Sequence, residues 1–523
     1  PEHEDVDAVC SLAGTWKGID EAKVRELYQR AFEIDPHDTY ALGSYLEHEL
    51  PHNKGVVAAT RPLLKLAVQR CQAQATAMVN LPWAYFDLGK FHLLMGDPYA
   101  CLEAYCKAVS VSTAPFMIET SLASLERLGS VIEQYAGYRW AVRLLRLGLA
   151  ARFPSPERTA QVEEMATRDV KPLKPNALIV AGGTHPRIED RMKGYAKDLC
   201  TALEAFGGTV ISGGTTQGIS GLVGDAAQFH GGRFRTVGYL PKAILEAEPE
   251  DATPDDDKAR YTEIRTTDGT EFSPLEPLQN WIDLLASGVL PSQVRVFGIG
   301  GGAIAGTEDR IAAAGGAHVG IIEGSGREAE RIFTDAFWAS VPTLLMLPAD
   351  AHVMRAFADW GGPQMDEDLC ERLAKAIHEE YRRERFEAGD PGDAAVAGWS
   401  SLAPELQESN RAQARHIPKK LEALGLAMTE AGAPMGRKVK FKKNQIERLA
   451  RIEHGRWVVE RLLDGWRKGD VKDLERKTNP SLAAWGELSD GVQDYDRQTV
   501  EKIPTFLRII KRGIRPLKPG EPA

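Results

Sequence analysis

Four times between residues 177 and 327 a short apolar run ends in a glycine-rich loop. Residues 177–181 (ALIVA) lead into Gly182-Gly183-Thr184, residues 209–211 into SGGTTQGISG (212–221), residues 295–299 into GIGGGAIAGTEDR (298–310) and residues 318–322 into EGSGR (323–327). An apolar run this short, bounded by turn residues, reads as a strand buried on both faces. Amphipathic helical patterns lie between the runs, the first over about 189–206, and further strands are expected at 236–240 and 343–347. Strand, glycine loop, helix and strand in alternation is the order of a doubly wound parallel sheet, here spanning about 175–360.

Glycine at a strand-to-helix turn lets backbone N–H groups approach a phosphate, and the helix N-terminus beyond adds partial positive charge. In such a sheet the loops converge at the carboxyl edge of the strands, where ligands bind. The hydroxyls of Thr184, Thr215, Thr216 and Ser325 add donors. His185 and Arg187 read equally as phosphate contacts or solvated turn residues, while His230 reads as structural. No loop has the GxxxxGK[ST] of a P-loop, and none has GxGxxG with an acidic residue at dinucleotide spacing, so neither a P-loop NTPase nor an ordinary dinucleotide oxidoreductase is supported.

The run SGGTTQGISGLVGDAA (212–227), with IGGG and Glu308 over 299–308 and IIEGSGR over 321–327, resembles the SLOG superfamily. The likeness is to the branch found at the cytosolic N-terminus of melastatin-type TRP channels and in bacterial sensors. It implies a Rossmann-like fold binding a nucleotide such as ADP-ribose, cyclic ADP-ribose or another NAD derivative, with no cofactor required. By this likeness Gly213, Gly214, Thr215, Thr216, Gln217 and Gly218 hold phosphate, Gly300, Gly301 and Gly302 pack against the ligand and Arg327 pairs with a phosphate, while the glycine loops themselves add Gly182, Gly183, Thr184, Arg187, Ser325 and Gly326 as candidate contacts. A second branch, the phosphoribohydrolases with PGGxGTxxE, is matched only in part, because Gly301–Glu308 (GGAIAGTE) lacks the proline and spaces its glycines differently. If the chain were such a hydrolase, Glu308 would be the catalytic carboxylate; the plainer reading has Glu308 capping its helix or pairing with Arg310.

Residues 1–170 read as helix pairs. Helical apolar spacing is broken at Asp35-Pro36 and at Gly96-Asp97-Pro98, and Leu88-Gly89, Phe91, Ala100, Tyr105 and Ala108 follow the large/small alternation of a tetratricopeptide repeat. Stacked pairs make a concave surface suited to a protein partner, an ordinary bundle being the plainer alternative. Lys171-Pro172 and Lys174-Pro175 mark a linker, residues 246–257 (EAEPEDATPDDD) a solvated acidic insertion, and residues 361–440 a helical or irregular connector, of which 385–436 reads as a long connection with one helix near 417–424.

Residues 441–516 differ electrically from the rest. The whole chain carries 64 Lys/Arg against 74 Asp/Glu, whereas from Arg437 onward there are 21 against 13. Here Glu453-His454-Gly455-Arg456-Trp457, Gly465-Trp466, Trp485 and Tyr495-Asp496-Arg497 resemble the RyR domain, the repeated module of ryanodine receptors. In one reading Trp457, Trp466 and Trp485 stack a ligand while His454, Arg456 and Arg497 pair with its phosphate; in the other the tryptophans are the core of a small domain. The lysines of 438–443 read as a solvated linker, since Phe441 is the only aromatic residue among them.

The net charge of −10 disfavours nucleic acid as a partner. The six cysteines form no CxxC or zinc spacing, and no metal site is expected. No apolar run of about 18 residues is present and the first thirty residues are acidic, so neither a membrane span nor a leader is expected and the cytoplasm is the expected compartment. The fold class is therefore multidomain α plus α/β, and the function it points to is nucleotide sensing, with a helical platform for a partner, an RyR module that relays the signal or takes a second ligand, and self-association as a further expectation.

Overall fold

In the computed structural model the described residues are 5–183, 193–247, 260–359, 365–387 and 396–518. Two compact units result, one of residues 1–196 with 207–346 and one of residues 197–206 with 347–523.

The first unit begins with α1 (Val6–Trp16), α2 (Glu21–Ile34), α3 (Thr39–Glu49), α4 (Val56–Ala59) and α5 (Arg61–Thr76), followed by α6 (Trp83–Met95), α7 (Pro98–Val111), α8 (Pro115–Ile132), α9 (Tyr138–Arg152) and α10 (Pro156–Met165). The α6–α7 turn shows how local chemistry sets these boundaries. Gly96 ends α6 at φ 82°, the Asp97 carboxylate accepts from Ala100 N at 3.2 Å, and Pro98 opens α7 where a missing N–H costs nothing. The large/small alternation has a direct structural counterpart: a Cβ on Gly89 of α6 would lie 2.5 Å from the ring of Tyr105 on α7, and one on Gly148 of α9 would lie 2.8 Å from Val109. Only hydrogen at these positions lets the helices approach so closely.

The chain continues as β1 (Ala177–Gly182), α11 (Tyr195–Ala202), which from Lys197 onward belongs to the second unit, and then in the first unit as β2 (Thr209–Ser212), α12 (Gly218–Phe229), β3 (Arg235–Pro241), α13 (Lys242–Ala247) and β4 (Glu263–Thr267). This unit is completed by α14 (Leu275–Ala286), β5 (Val294–Ile299), α15 (Ala303–Gly315), β6 (His318–Ile322), α16 (Arg327–Arg331), α17 (Ala336–Ala339) and β7 (Leu344–Leu347). The strands form one seven-stranded sheet in the order β4-β3-β2-β1-β5-β6-β7, parallel in the pairings from β4 to β6. This is the Rossmann-like doubly wound sheet, and the strand order reverses between β1 and β5, the place where such sheets open a ligand crevice.

Three elements differ from the sequence reading. β4 was not anticipated, because its Glu263 and Arg265 make EIRTT look solvated, whereas Arg265 is buried against Asp283. The helix expected over 189–206 is found as Tyr195–Ala202, and residues 189–192 lie outside the described residues, as does most of the acidic insertion. The prolines of 171–175 do not mark a free joint: Leu173 is buried, the Lys171 carbonyl accepts from Arg265 Nη2 at 2.7 Å and the Pro172 carbonyl accepts from Arg235 Nη1 at 2.8 Å.

One hydrophobic core runs from the helices into the sheet layer, joining Leu144 and Leu145 of α9 to Trp281 of α14 and Ile311 of α15. Polar contacts reinforce it. Arg143 donates to Gln279 at 2.9 Å, Gln279 donates to the Met165 carbonyl at 3.0 Å, and Tyr85 meets Phe337 edge-on at 5.5 Å.

The second unit contains α18 (Ala351–Ala358), α19 (Glu367–Glu387), α20 (Pro404–Arg415), α21 (Ile417–Glu422), β8 (Leu426–Met428), α22 (Lys443–Leu463), α23 (Asp490–Glu501), α24 (Ile503–Ile509) and β9 (Ile514–Pro516). The stretch expected to be a connector holds the 21-residue α19, and Leu373 and Ile377 of that helix share a core with Leu449, Trp485, Phe506 and Leu507. β8 pairs antiparallel with β9, Met428 opposite Ile514. A Cβ on Gly455 of α22 would lie 2.3 Å from the His352 carbonyl of α18, so the two helices cross in direct backbone contact.

Candidate functional site

At the carboxyl ends of β1, β2 and β5 the first unit holds a cavity of about 520 Å³, within the range of small-molecule sites. Of the residues expected to bind, Gly182, Gly183, Gly213, Thr215, Gly302, Glu308 and Arg327 line it. Gly214, Thr216, Gln217, Gly218, Gly300, Gly301, Ser325 and Gly326 belong to the same loops but not to the wall. Thr184 and Arg187, with His185, lie outside the described residues.

The glycines divide by what they do. A Cβ on Gly182 would lie 2.4 Å from Ile219, so this glycine serves the packing of α12 onto β1. Gly301, at φ 82°, turns the loop after β5 so that a Cβ on Gly183 would lie 3.1 Å from its Cα. The β1 and β5 loops thus present bare backbone at the switch point. Thr215 spends its hydroxyl within its own loop, on the Gln217 carbonyl at 3.1 Å. The buried Ser325 hydroxyl has no hydrogen-bond partner among the described residues.

Arg327 stands over this backbone. Its Nη1 lies 3.3 Å from where a Gly183 Cβ would be and its Nη2 3.8 Å from the same point on Gly302. Its own φ is 57°, a left-handed conformation that a non-glycine residue adopts at a cost. No ion pair to Arg327 is found among the described residues, while neighbouring Arg310 and Arg331 each pair with Glu328.

Glu308 reaches the wall from α15, half-buried. It does not pair with Arg310, which turns instead to Glu103, Glu328 and the Gly306 carbonyl. Its partner is Asn280 of α14, whose Nδ2 donates to Oε1 at 2.6 Å. Loss of water around the carboxyl outweighs the Asn280 bond and pushes its pKa up to about 7.

Sequence reasoning missed Tyr99, Tyr239, Phe272, Glu276 and Asn280, all on the wall. Tyr99 is the second residue of α7 and leans on Trp140 of α9 at 5.7 Å, so the helical array supplies part of the cavity. Nothing in a helical apolar pattern distinguishes such a residue. Among the described residues no cluster of side chains with metal-ligand geometry is present, the six cysteines are unbridged, and no helix is long and apolar enough to cross a membrane.

In the second unit the expected ligand set is internally engaged. Arg456 bridges Glu453 and Glu460, and Arg497 donates to Glu447 and Asp494 at 2.8 Å each. Trp485 is buried, its Nε1 donating to Glu447 at 3.1 Å, and His454 is fixed by the Ala483 carbonyl at 2.8 Å and Asp496 at 3.5 Å. His454 packs between Trp457 at 6.0 Å and Trp485 at 5.6 Å, and Trp466, half-buried, lies under Arg461 at 5.8 Å. Of the three tryptophans Trp485 belongs to the hydrophobic core of this unit, whereas Trp457 and Trp466 are half-buried outside it. A separate cavity of about 280 Å³, lined by His378, Tyr381, Asn410 and Lys502 among others, contains none of the expected residues.

Residues 176–355 match the family model described as SLOG in TRPM, prokaryote, and residues 439–514 match that of the RyR domain. The chain carries a SLOG domain followed by an RyR domain. Together the SLOG and RyR domains support a TRPM-like nucleotide-sensing module. No curated protein matches the chain. A solved Thermobaculum terrenum O-GlcNAc transferase mutant is similar at 13% identity over 62% of this chain, with a TM-score of 0.15, and this chain spans about half (52%) of that one; a likeness this slight carries no argument.

Proposed function

We propose that the protein is a nucleotide sensor whose SLOG cavity takes an NAD-derived nucleotide, ADP-ribose or cyclic ADP-ribose being the type. The observation that carries this reading is Arg327, a cation unpaired among the described residues and set in a strained backbone over the glycine loops of a cavity of about 520 Å³. A guanidinium facing backbone N–H groups is complementary to a pyrophosphate. Tyr99 offers the ligand an aromatic face from α7, so occupancy biases the helical array by population shift. On this reading the array, built on TPR-like pairs, presents the signal to a protein partner in the cytoplasm, and the RyR domain relays it or takes a second ligand. Bacterial stress or phage defence is the setting that the domain combination suggests by analogy.

A second reading rests on Glu308. A carboxyl held near pH 7 on a cavity wall is suited to general acid–base work, and the alternative is hydrolysis of an N-glycosidic or phosphoribosyl bond. One experiment separates the two. The full chain is melted with NAD, ADP-ribose, cyclic ADP-ribose, AMP and cyclic nucleotides, and each sample is then chromatographed. Ligand at 100 times its dissociation constant stabilises the native state by about 2.7 kcal/mol. A raised melting temperature with intact ligand supports the sensor, and cleaved ligand supports the hydrolase. No shift with any of them defeats both.

A further inference from the structure

The second unit holds a cavity of about 280 Å³ between α19, α20 and the junction of α23 with α24, and most of its wall lies outside residues 176–355 and 439–514. Its floor is apolar: Ile377, Leu402 and Phe506 are each 5% exposed or less. Glu380 and Glu384 stand one turn apart on α19, and Lys502 at the head of α24 pairs with Glu384 across the cavity. Lys502 is 24% and Glu384 37% exposed, so both charges are open to a ligand. Glu380 has a partner beyond the wall, Arg383, whose Nε donates to it at 3.1 Å. Asn410 and His378 are also engaged, Asn410 Nδ2 with the Leu406 carbonyl and His378 Nε2 with the Ala397 carbonyl, each at 2.7 Å. The half-buried Gln413 amide and Thr499 hydroxyl differ from these, since neither bonds any described residue.

These groups narrow what the cavity can take. Its volume is just below the range of most small-molecule sites, too small for a dinucleotide. Among the described residues Lys502 is the one lysine or arginine of the wall, and it shares that wall with two carboxylates, so a phosphate would be repelled. An organic cation that captured Glu384 would cover Lys502 and leave it unpaired, and an organic anion that captured Lys502 would do the same to Glu384. A molecule carrying both charges avoids either loss, because each member of the pair exchanges one opposite charge for another. We infer that this cavity binds a free α-amino acid with a large apolar side chain. Lys502 takes the carboxylate, Glu384 takes the ammonium, Gln413 and Thr499 each add a hydrogen bond, and the side chain rests on Ile377, Leu402 and Phe506. This site is independent of the nucleotide reading above and belongs to the other unit.

The test is calorimetric titration of the full chain with phenylalanine and leucine. Each is compared with the amine that lacks its carboxylate (2-phenylethylamine, 3-methylbutylamine) and the acid that lacks its amino group (3-phenylpropionate, 4-methylpentanoate), and AMP serves as the phosphorylated control. Wild type should favour at least one of the two amino acids over both of its single-charge analogues by roughly tenfold to a hundredfold, the worth of one charge-assisted hydrogen bond. Lys502→Met should bring the preference over the amine to near unity, and Glu384→Gln should do so for the preference over the acid. The ligand-free melting temperature should hardly move in either, because a pair this exposed contributes little to stability. Should either variant not fold, Thr499→Val takes its place, since it keeps the shape of the side chain, removes one bond and should weaken the amino acid several-fold. Binding of neither amino acid by wild type overturns the inference, as does an amine or acid that binds as tightly as its parent. Preferences that survive in both folded variants place the amino acid elsewhere and overturn it too. Binding of AMP that Lys502→Met abolishes overturns it by making the cavity an anion site.

Discussion

Arg265 of β4 and Asp283 of α14 form a buried ion pair at 2.7 Å, each side chain 1% exposed. Tyr239 and Gln279 also bond Asp283, and Glu263 bonds Arg265, so every strong acceptor in the group has a donor. The pair ties the edge of the sheet to the helix that holds Asn280. Replacing Arg265 by Met would strand a buried carboxylate, which costs about 3–5 kcal/mol when one partner of such a pair is removed. Chemical denaturation of R265M should register that loss, and a double variant that also replaces Asp283 by Asn should recover part of it.

Arg327→Ala removes the cation over the glycine loops. Charge-assisted hydrogen bonds contribute about 1.5–3 kcal/mol each, so calorimetry with ADP-ribose should show affinity lower by roughly tenfold to a hundredfold. Melting temperature should not fall, since no described residue pairs with Arg327 and alanine carries the same Cβ at its left-handed φ of 57°. Equal affinity in variant and wild type would remove Arg327 from the site. Tyr99→Ala is the companion experiment, and it should weaken ADP-ribose more than it weakens ribose 5-phosphate, which has no base to stack.

Gly89→Ala places a methyl group 2.5 Å from the Tyr105 ring. Overpacking of this kind costs about 1–3 kcal/mol, and the combined variant Gly89→Ala with Tyr105→Leu should be more stable than Gly89→Ala alone. Thermal unfolding of the three proteins checks the order.

Glu47 predicts a pH dependence. Burial would raise its carboxyl, but Lys90, Arg127 and the Ser124 hydroxyl hold it down at about 2, below the ordinary value of 4.5. The folded state therefore binds this proton less readily than the unfolded one, and the stabilisation is complete above about pH 4.5 and is lost as pH falls toward 2. Glu308 has the opposite sign: held up to about 7, it makes the fold progressively less stable as pH rises from 4.5 to 7. Denaturation from pH 2 to 8 should show acid loss that Glu47→Gln flattens at the low end, and a decline between about pH 4.5 and 7 that Glu308→Gln removes.

The strands of the sheet were legible because a buried parallel strand must be a short apolar run and its turn must admit glycine. Residues 177–182, 209–212 and 294–299 satisfy both. β4 was hidden because its interior is polar: Arg265 faces a carboxylate rather than a side chain of the hydrophobic core. α19 was hidden because its mean composition is that of a solvated segment, and only Cys370, Leu373, Ala374, Ala376, Ile377 and His378 are buried on one side of it. At the site, Arg327 and the glycine loops could be read from spacing. Asn280 could not, since an asparagine in an amphipathic helix has no pattern until the partner of each amide atom is known.

The apolar layer that joins α9 to α14 and α15 also sets what can be cut from this protein. A fragment limited to residues 176–355 would bring Trp281, Ile311 and the face beneath Leu144 into water, and it would lose Tyr99 from its cavity. The family boundary and the folding boundary thus fall in different places. Here the smallest piece able to keep both its apolar layer covered and its cavity wall complete begins within the helices, so the array is a structural part of the sheet domain rather than an adaptor appended to it.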